Sequence, residues 1–167
     1  MPSRKGWHFF MEENKTCSFF GHRTINLTDD LYAITVAEIE KSVASGCRIF
    51  YFGGYGEFDK LCRQIVTKIK NERPELNIQR IFCVPMEKDL RKKSRWLNDT
   101  NCDKIEYLIP TFNGWYRSIY FRNCAMIDNS DVIIFYAENR ANSGAYKAYR
   151  YAKSKKGKWV INLYDKK

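Results

Sequence analysis

Four short stretches hold the residues whose types and spacing can do chemistry. The first is Gly21-His22-Arg23, at the end of the apolar run Thr16 to Phe20. An arginine fork matches phosphate oxygens. A neutral histidine can hydrogen-bond a ribose or a base, or can simply bond local backbone. The second stretch is Gly53-Gly54-Tyr55-Gly56-Glu57-Phe58-Asp59, directly behind the run Cys47 to Phe52. Glycines let backbone N–H groups approach a ligand closely. A helix start behind them attracts anions, because its first N–H groups lack partners. The glycines alone fit a phosphate or sugar-phosphate cradle and a tight strand-to-helix connection equally well. No Gly-Lys-Ser/Thr element follows, so this is not a Walker A loop. Glu57 and Asp59 can cap the helix, hold ribose hydroxyls, or activate water beside an oxocarbenium-like centre. Two carboxylates suit a phosphate poorly. The third stretch, Ala141-Asn142-Ser143-Gly144, offers a better place for it, with helix N–H groups and a hydroxyl at Ser143 and Gly144. The fourth is Arg122-Asn123. Tyr116 and Tyr120 lie within two helical turns of it and can stack a base or fill a core.

The elements that position these stretches follow from periodicity. Strands are predicted at Thr16–Phe20, Cys47–Phe52, Ile78–Val84, Val132–Tyr136 and Trp159–Leu163, with a short edge strand at Ile105–Ile109. Helical spacing of Tyr32, Val36, Ile39 and Val43 predicts a helix capped by Asp29 or Asp30 and ended by Gly46. Phe58, Leu61, Cys62, Ile65, Val66 and Ile69 form a second stripe. Trp115, Ile119 and Met126 share one face of a third helix, and Ala145, Ala148, Tyr149 and Ala152 face inward on a fourth. Residues 87–104 are polar, and their charge run Lys88 to Arg95 reads first as a solvated helix or loop and second as a nucleic-acid patch. Strands alternating with helices argue for a mostly parallel sheet with helices on both faces, an α/β fold. Three strand ends then meet at the carboxyl edge, where such sheets bind ligands.

At 167 residues the chain fits one domain, at 16–167, behind an N-terminal extension at 1–15. A net charge of +10 favours anionic partners. The cysteines at 17, 47, 62, 83, 102 and 124 form no Cys-x-x-Cys pair, which argues against zinc and for a reducing cytosol. No segment has the length of a membrane span. No cofactor is expected beyond a nucleotide-type ligand.

Together these residues resemble a known family. Phe19-Phe20-Gly21-His22-Arg23, Gly53-Gly54 through Asp59, Arg122-Asn123 through Val132, and Ser143-Gly144-Ala145-Tyr146 are similar, in order and spacing, to the four motifs of YpsA-like proteins, a branch of the SLOG superfamily. The resemblance runs from about Cys17 to Leu163. It implies a Rossmann-like sheet that binds a nucleotide or nucleotide-derived small molecule, as a sensor or as a processing module. The superfamily includes the Lonely Guy phosphoribohydrolases, which cleave nucleotide N-glycosidic bonds, and DNA-processing protein A, which binds single-stranded DNA. Against the Lonely Guy pattern, Asn123 replaces a lysine beside Arg122, and the Ala141 to Ala148 turn lacks the double glycine and glutamate. Three readings stand. The first is binding of a small nucleotide-type ligand by Gly21, His22, Arg23, Gly53, Gly54, Gly56, Tyr120, Arg122, Asn123, Ser143 and Gly144. The second is N-glycoside hydrolysis with Glu57 or Asp59 assisting water. The third is single-stranded nucleic-acid binding. Lonely Guy-like relatives dimerise, so the resemblance also raises a homodimer, although no apolar stripe requires one.

Overall fold

The computed structural model describes residues 14–109 and 118–166. The apolar runs become strands β1 (Lys15–Gly21), β2 (Cys47–Phe52), β3 (Gln79–Cys83), β4 (Lys104–Glu106), β5 (Val132–Tyr136) and β6 (Trp159–Asn162). They form one six-stranded sheet in the order β4-β3-β2-β1-β5-β6, with every pairing parallel. Five α-helices cover it: α1 (Asp29–Ala44), α2 (Glu57–Glu72), α3 (Lys93–Thr100), α4 (Ser118–Asp128) and α5 (Gly144–Lys153). A 3-10 turn at Glu87–Lys92 leads into α3. This is a single Rossmann-like α/β domain. No helix among the described residues is long and apolar enough to cross a membrane.

The pleat divides the core. Phe19, Phe50, Phe52 and Ile134 point to the face covered by α1 and α2, while Phe20, Tyr51, Ile133 and Phe135 point to α4 and α5. Strands buried on both faces need near-continuous apolar sequence, and these have it. Phe19 stacks on Phe52 at 5.2 Å, and Phe20 on Phe135 at 5.3 Å. The chain builds β1 to β4 outward on one side, then returns to place β5 on the other side of β1. That reversal splays the loops after β1 and β5 and opens a crevice between them.

Four sequence expectations are corrected here. α1 is capped by Thr28, whose Oγ1 accepts the Leu31 N–H at 3.1 Å, rather than by Asp29 or Asp30. Its buried face is Leu31, Thr35, Glu38, Ile39, Ser42 and Val43, and Tyr32 is exposed. The polar members of that face are satisfied locally: Thr35 donates to the Leu31 carbonyl and Ser42 to the Glu38 carbonyl, while Lys41 and Lys166 hold the Glu38 carboxylate. Ile119 and Met126 do not share a buried face, for Met126 is fully buried and Ile119 is exposed. Trp115 and Tyr116 lie outside the described residues. The first strand starts at Lys15, one residue before the expected Thr16.

All six cysteines are buried and unpaired. Burial raises each thiol pKa, that of Cys47 to about 11. The Ser18 hydroxyl, also fully buried, lacks a hydrogen-bond partner among the described residues. An unsatisfied buried polar group costs about 1–3 kcal/mol. Ser18→Ala is therefore expected to raise the melting temperature by about 3 °C. A fall in calorimetry would show that the hydroxyl has a partner in solution.

Candidate functional site

The reversal between β1 and β5 produces a cavity of about 1280 Å³ at the carboxyl edge of the sheet. Gly21, His22 and Arg23 reach it from β1, Gly53, Tyr55 and Asp59 from the β2–α2 turn, Tyr120, Arg122 and Asn123 from α4, and Ser143 and Gly144 from the start of α5. These segments are far apart in sequence, and only a parallel sheet brings their strand ends to one edge. Gly54, Gly56 and Glu57 do not line the cavity.

The β2–α2 turn is fastened from below by Asp59. Its Oδ1 accepts the Gly53 and Gly54 N–H groups at 3.0 and 3.3 Å, and its Oδ2 accepts from Arg63 Nε at 2.9 Å. Burial pushes the Asp59 pKa up, against the pull of Arg63 and of the two N–H groups. Glu57 sits outside, exposed. Its Oε2 accepts the Ile25 N–H at 2.7 Å and its own N–H donates to the Arg23 carbonyl at 2.8 Å, so it pins the β1 loop to the start of α2. Gly21 leaves room for the Phe58 side chain beneath the loop, since a Cβ there would sit 2.5 Å from it.

Arg122 lies on the cavity floor, only 5% exposed. Nη1 donates to the Gly53 carbonyl at 2.8 Å, and Nε and Nη2 donate to Asn123 Oδ1 at 3.3 and 3.1 Å. Arg122 makes no ion pair among the described residues. Burial lowers its pKa, yet an arginine remains charged in proteins. The buried Asp59 carboxylate offsets part of the cost of burying this cation, but its ion pair is with Arg63 and Arg122 is left without a direct anionic partner. The absence of a side chain at Gly53 makes the space, because a Cβ there would meet Arg122 Nη2 at 2.8 Å.

Around the rim stand Arg23, Arg140, Lys147 and Arg150, all exposed. Arg140 pairs with Glu138. Asp59 is the cavity's sole carboxylate among the lining residues, and it is already committed to Arg63 and the turn. The site is therefore strongly electropositive. Ser143 uses its hydroxyl to cap α5, accepting the Tyr146 N–H at 3.1 Å. Gly144 faces open space, with nothing within 4 Å of a built Cβ.

His22 is buried, and its Nε2 accepts the Glu138 N–H at 2.8 Å. Nε2 is thus unprotonated, and the ring ties the β1 loop to the β5 loop. Burial, then Arg140, hold its pKa below the ordinary 6.5, with Glu138 pulling weakly upward. A depressed histidine pKa means that the unfolded chain takes up a proton first. Its contribution to stability is then full above about pH 6.5 and lost as pH falls through the folded pKa. The wild type should lose more melting temperature between about pH 8 and 5 than His22→Gln. Parallel curves would show that the bond carries no linkage.

Sequence reasoning missed Tyr55, Arg140, Lys147 and Arg150 at this site. Lys147 and Arg150 had a signal, being three residues apart on the exposed face of α5. Tyr55 sat inside a glycine motif, where attention goes to the glycines.

No protein-family model matches the chain, and no curated protein matches it. A solved structure is similar. It is DNA processing protein A from Helicobacter pylori, described for its unique single-stranded DNA binding mode. The TM-score is 0.54 at 17% identity, over 89% of this chain and 65% of that one. At this identity the likeness is one of fold. This chain spans about two thirds of its neighbour's length.

Proposed function

We propose that the chain binds single-stranded nucleic acid by its phosphates, at the cavity between the β1 and β5 loops. The observation that carries the proposal is Arg122, a buried guanidinium with no ion-pair partner among the described residues, beneath a rim of four further cations. A phosphate supplies the direct anionic contact that Asp59, tied to Arg63 and the glycine turn, does not, and it matches the arginine fork. One phosphate needs only part of this charge, whereas a strand presents a row of them. The overall charge of +10 supports that reading. So does the neighbour, a protein described for binding single-stranded DNA.

A free nucleotide is the second reading. It is favoured by the depth of Arg122 and by the motif order that resembles the YpsA-like branch. Fluorescence anisotropy with a labelled oligothymidylate of about 16 nucleotides, titrated over salt, separates the two. Strand binding predicts affinity that falls steeply with salt, together with weak competition by mononucleotides. Complete displacement by micromolar mononucleotide would favour the second reading. No binding of either ligand at low salt would overturn both.

A further inference from the structure

We infer that a bound single strand leaves the cavity across Tyr55 and follows the sheet edge to a second cationic patch at residues 88–93. This rests on the nucleic-acid reading above. Because every strand is parallel, the turns after β5, β1, β2 and β3 open at one edge, in that spatial order. The first two bound the cavity. The third presents Tyr55, 48% exposed, with the Arg122 guanidinium 5.5 Å from its ring centroid. The fourth carries Lys88, Arg91, Lys92 and Lys93 on the Glu87–Lys92 turn and the first residue of α3. All four are exposed, and none forms an ion pair among the described residues. Of the two carboxylates on this turn, Asp89 is turned inward and buried, and the exposed Glu87 stands at its start, leaving four cations to one surface carboxylate. Arg95, further along, is paired with Asp99 at 3.5 Å.

The aromatic residue between the two cationic regions is held by a braced turn. A Cβ at Gly54 would lie 2.4 Å from Phe82, and one at Gly56 would lie 2.9 Å from the Arg23 Cα. Asp59 ties down the Gly53 and Gly54 N–H groups. A rigid, exposed ring flanked by cations is what an unstacked base needs, because every base has a π-face and the backbone runs alongside it. Neighbouring strands lie about 5 Å apart, so the β1 and β3 turns are separated by roughly 10 Å. A strand of several nucleotides spans that gap, and a single nucleotide in the cavity does not.

The test uses labelled oligothymidylates of about 2 and about 16 nucleotides, and a 16-mer lacking its bases, at about 100 mM salt. Three variants are compared with the wild type: Tyr55→Ala, Tyr55→Phe, and the combined Lys88→Ser, Arg91→Ser, Lys92→Ser, Lys93→Ser. The combined variant should bind the long oligomer with a salt slope shallower by roughly 3, about 0.7 for each cation, and should bind the short one like the wild type. Tyr55→Ala should lose about tenfold on thymidylate and almost nothing on the abasic strand, while Tyr55→Phe keeps the affinity. Equal loss at both lengths, no loss at all, or equal loss on the abasic strand would overturn the inference and leave the cavity reading standing. Failure of the wild type to bind any oligomer would overturn the cavity reading itself.

Discussion

Arg122→Met is expected to weaken binding of a phosphate-bearing strand by about 100-fold, from the loss of one buried charge-assisted contact of about 2–5 kcal/mol. The same variant should melt no lower than the wild type. The guanidinium is desolvated, and its hydrogen-bond partners are a carbonyl and an amide rather than a carboxylate. Replacing it with an apolar chain of similar length removes that desolvation cost, which offsets the hydrogen bond lost at Gly53. Arg122→Lys should recover little affinity, because a point charge cannot serve Gly53, Asn123 and a ligand at once. Affinity and thermal melting measured on the same preparations decide the matter. If Arg122→Met melted several degrees lower with unchanged affinity, the arginine would be a structural strut.

Gly54→Ala should be the most damaging small substitution in the turn. Gly54 has a φ of +75°, and the new methyl would sit 2.4 Å from Phe82 Cε2. The left-handed backbone costs an L-residue about 1–2 kcal/mol, and overpacking a core adds about 1–3 kcal/mol. Phe82 cannot easily give way, being fully buried and packed on Trp96 at 5.1 Å. A drop in melting temperature of about 10 °C is expected. Gly144→Ala is the control. Its methyl meets nothing, and it should change stability by no more than about 0.5 kcal/mol. If the two variants melted alike, the turn would be softer than its packing indicates.

The parallel sheet and the convergence of its strand ends were legible from alternation and turn chemistry. β5 and α2 illustrate why, since Val132 to Tyr136 is an unbroken apolar run and the apolar residues from Phe58 to Ile69 recur at helical spacing. α1 was misread for a physical reason. Thr35, Glu38 and Ser42 are buried and satisfied by helix carbonyls and lysines, so its inward face does not look apolar. At the site, Gly53, Arg122 and Ser143 were legible as residue types in suggestive places. Their partnerships were not: Asp59 reads as a reactive carboxylate in sequence, and only the fold reveals it as the fastener of the glycine turn. Arg140, unlike Arg23 in the first motif, was invisible for the same reason, because exposure and position relative to a cavity are properties of the fold.

The buried thiols give this protein a reporter of its own opening. A thiol attacks reagents only as thiolate and only when reached, and here burial denies both conditions. Any labelling of the native protein must therefore pass through a transient exposure of the core. Cys17, Cys47 and Cys62 lie with α1 and α2, whereas Cys83 faces the side of α4 and α5. The order in which a mass spectrometer sees them modified would show which half of the sandwich breathes first. Slower labelling of one set on adding a ligand would locate the bound molecule with no engineered probe.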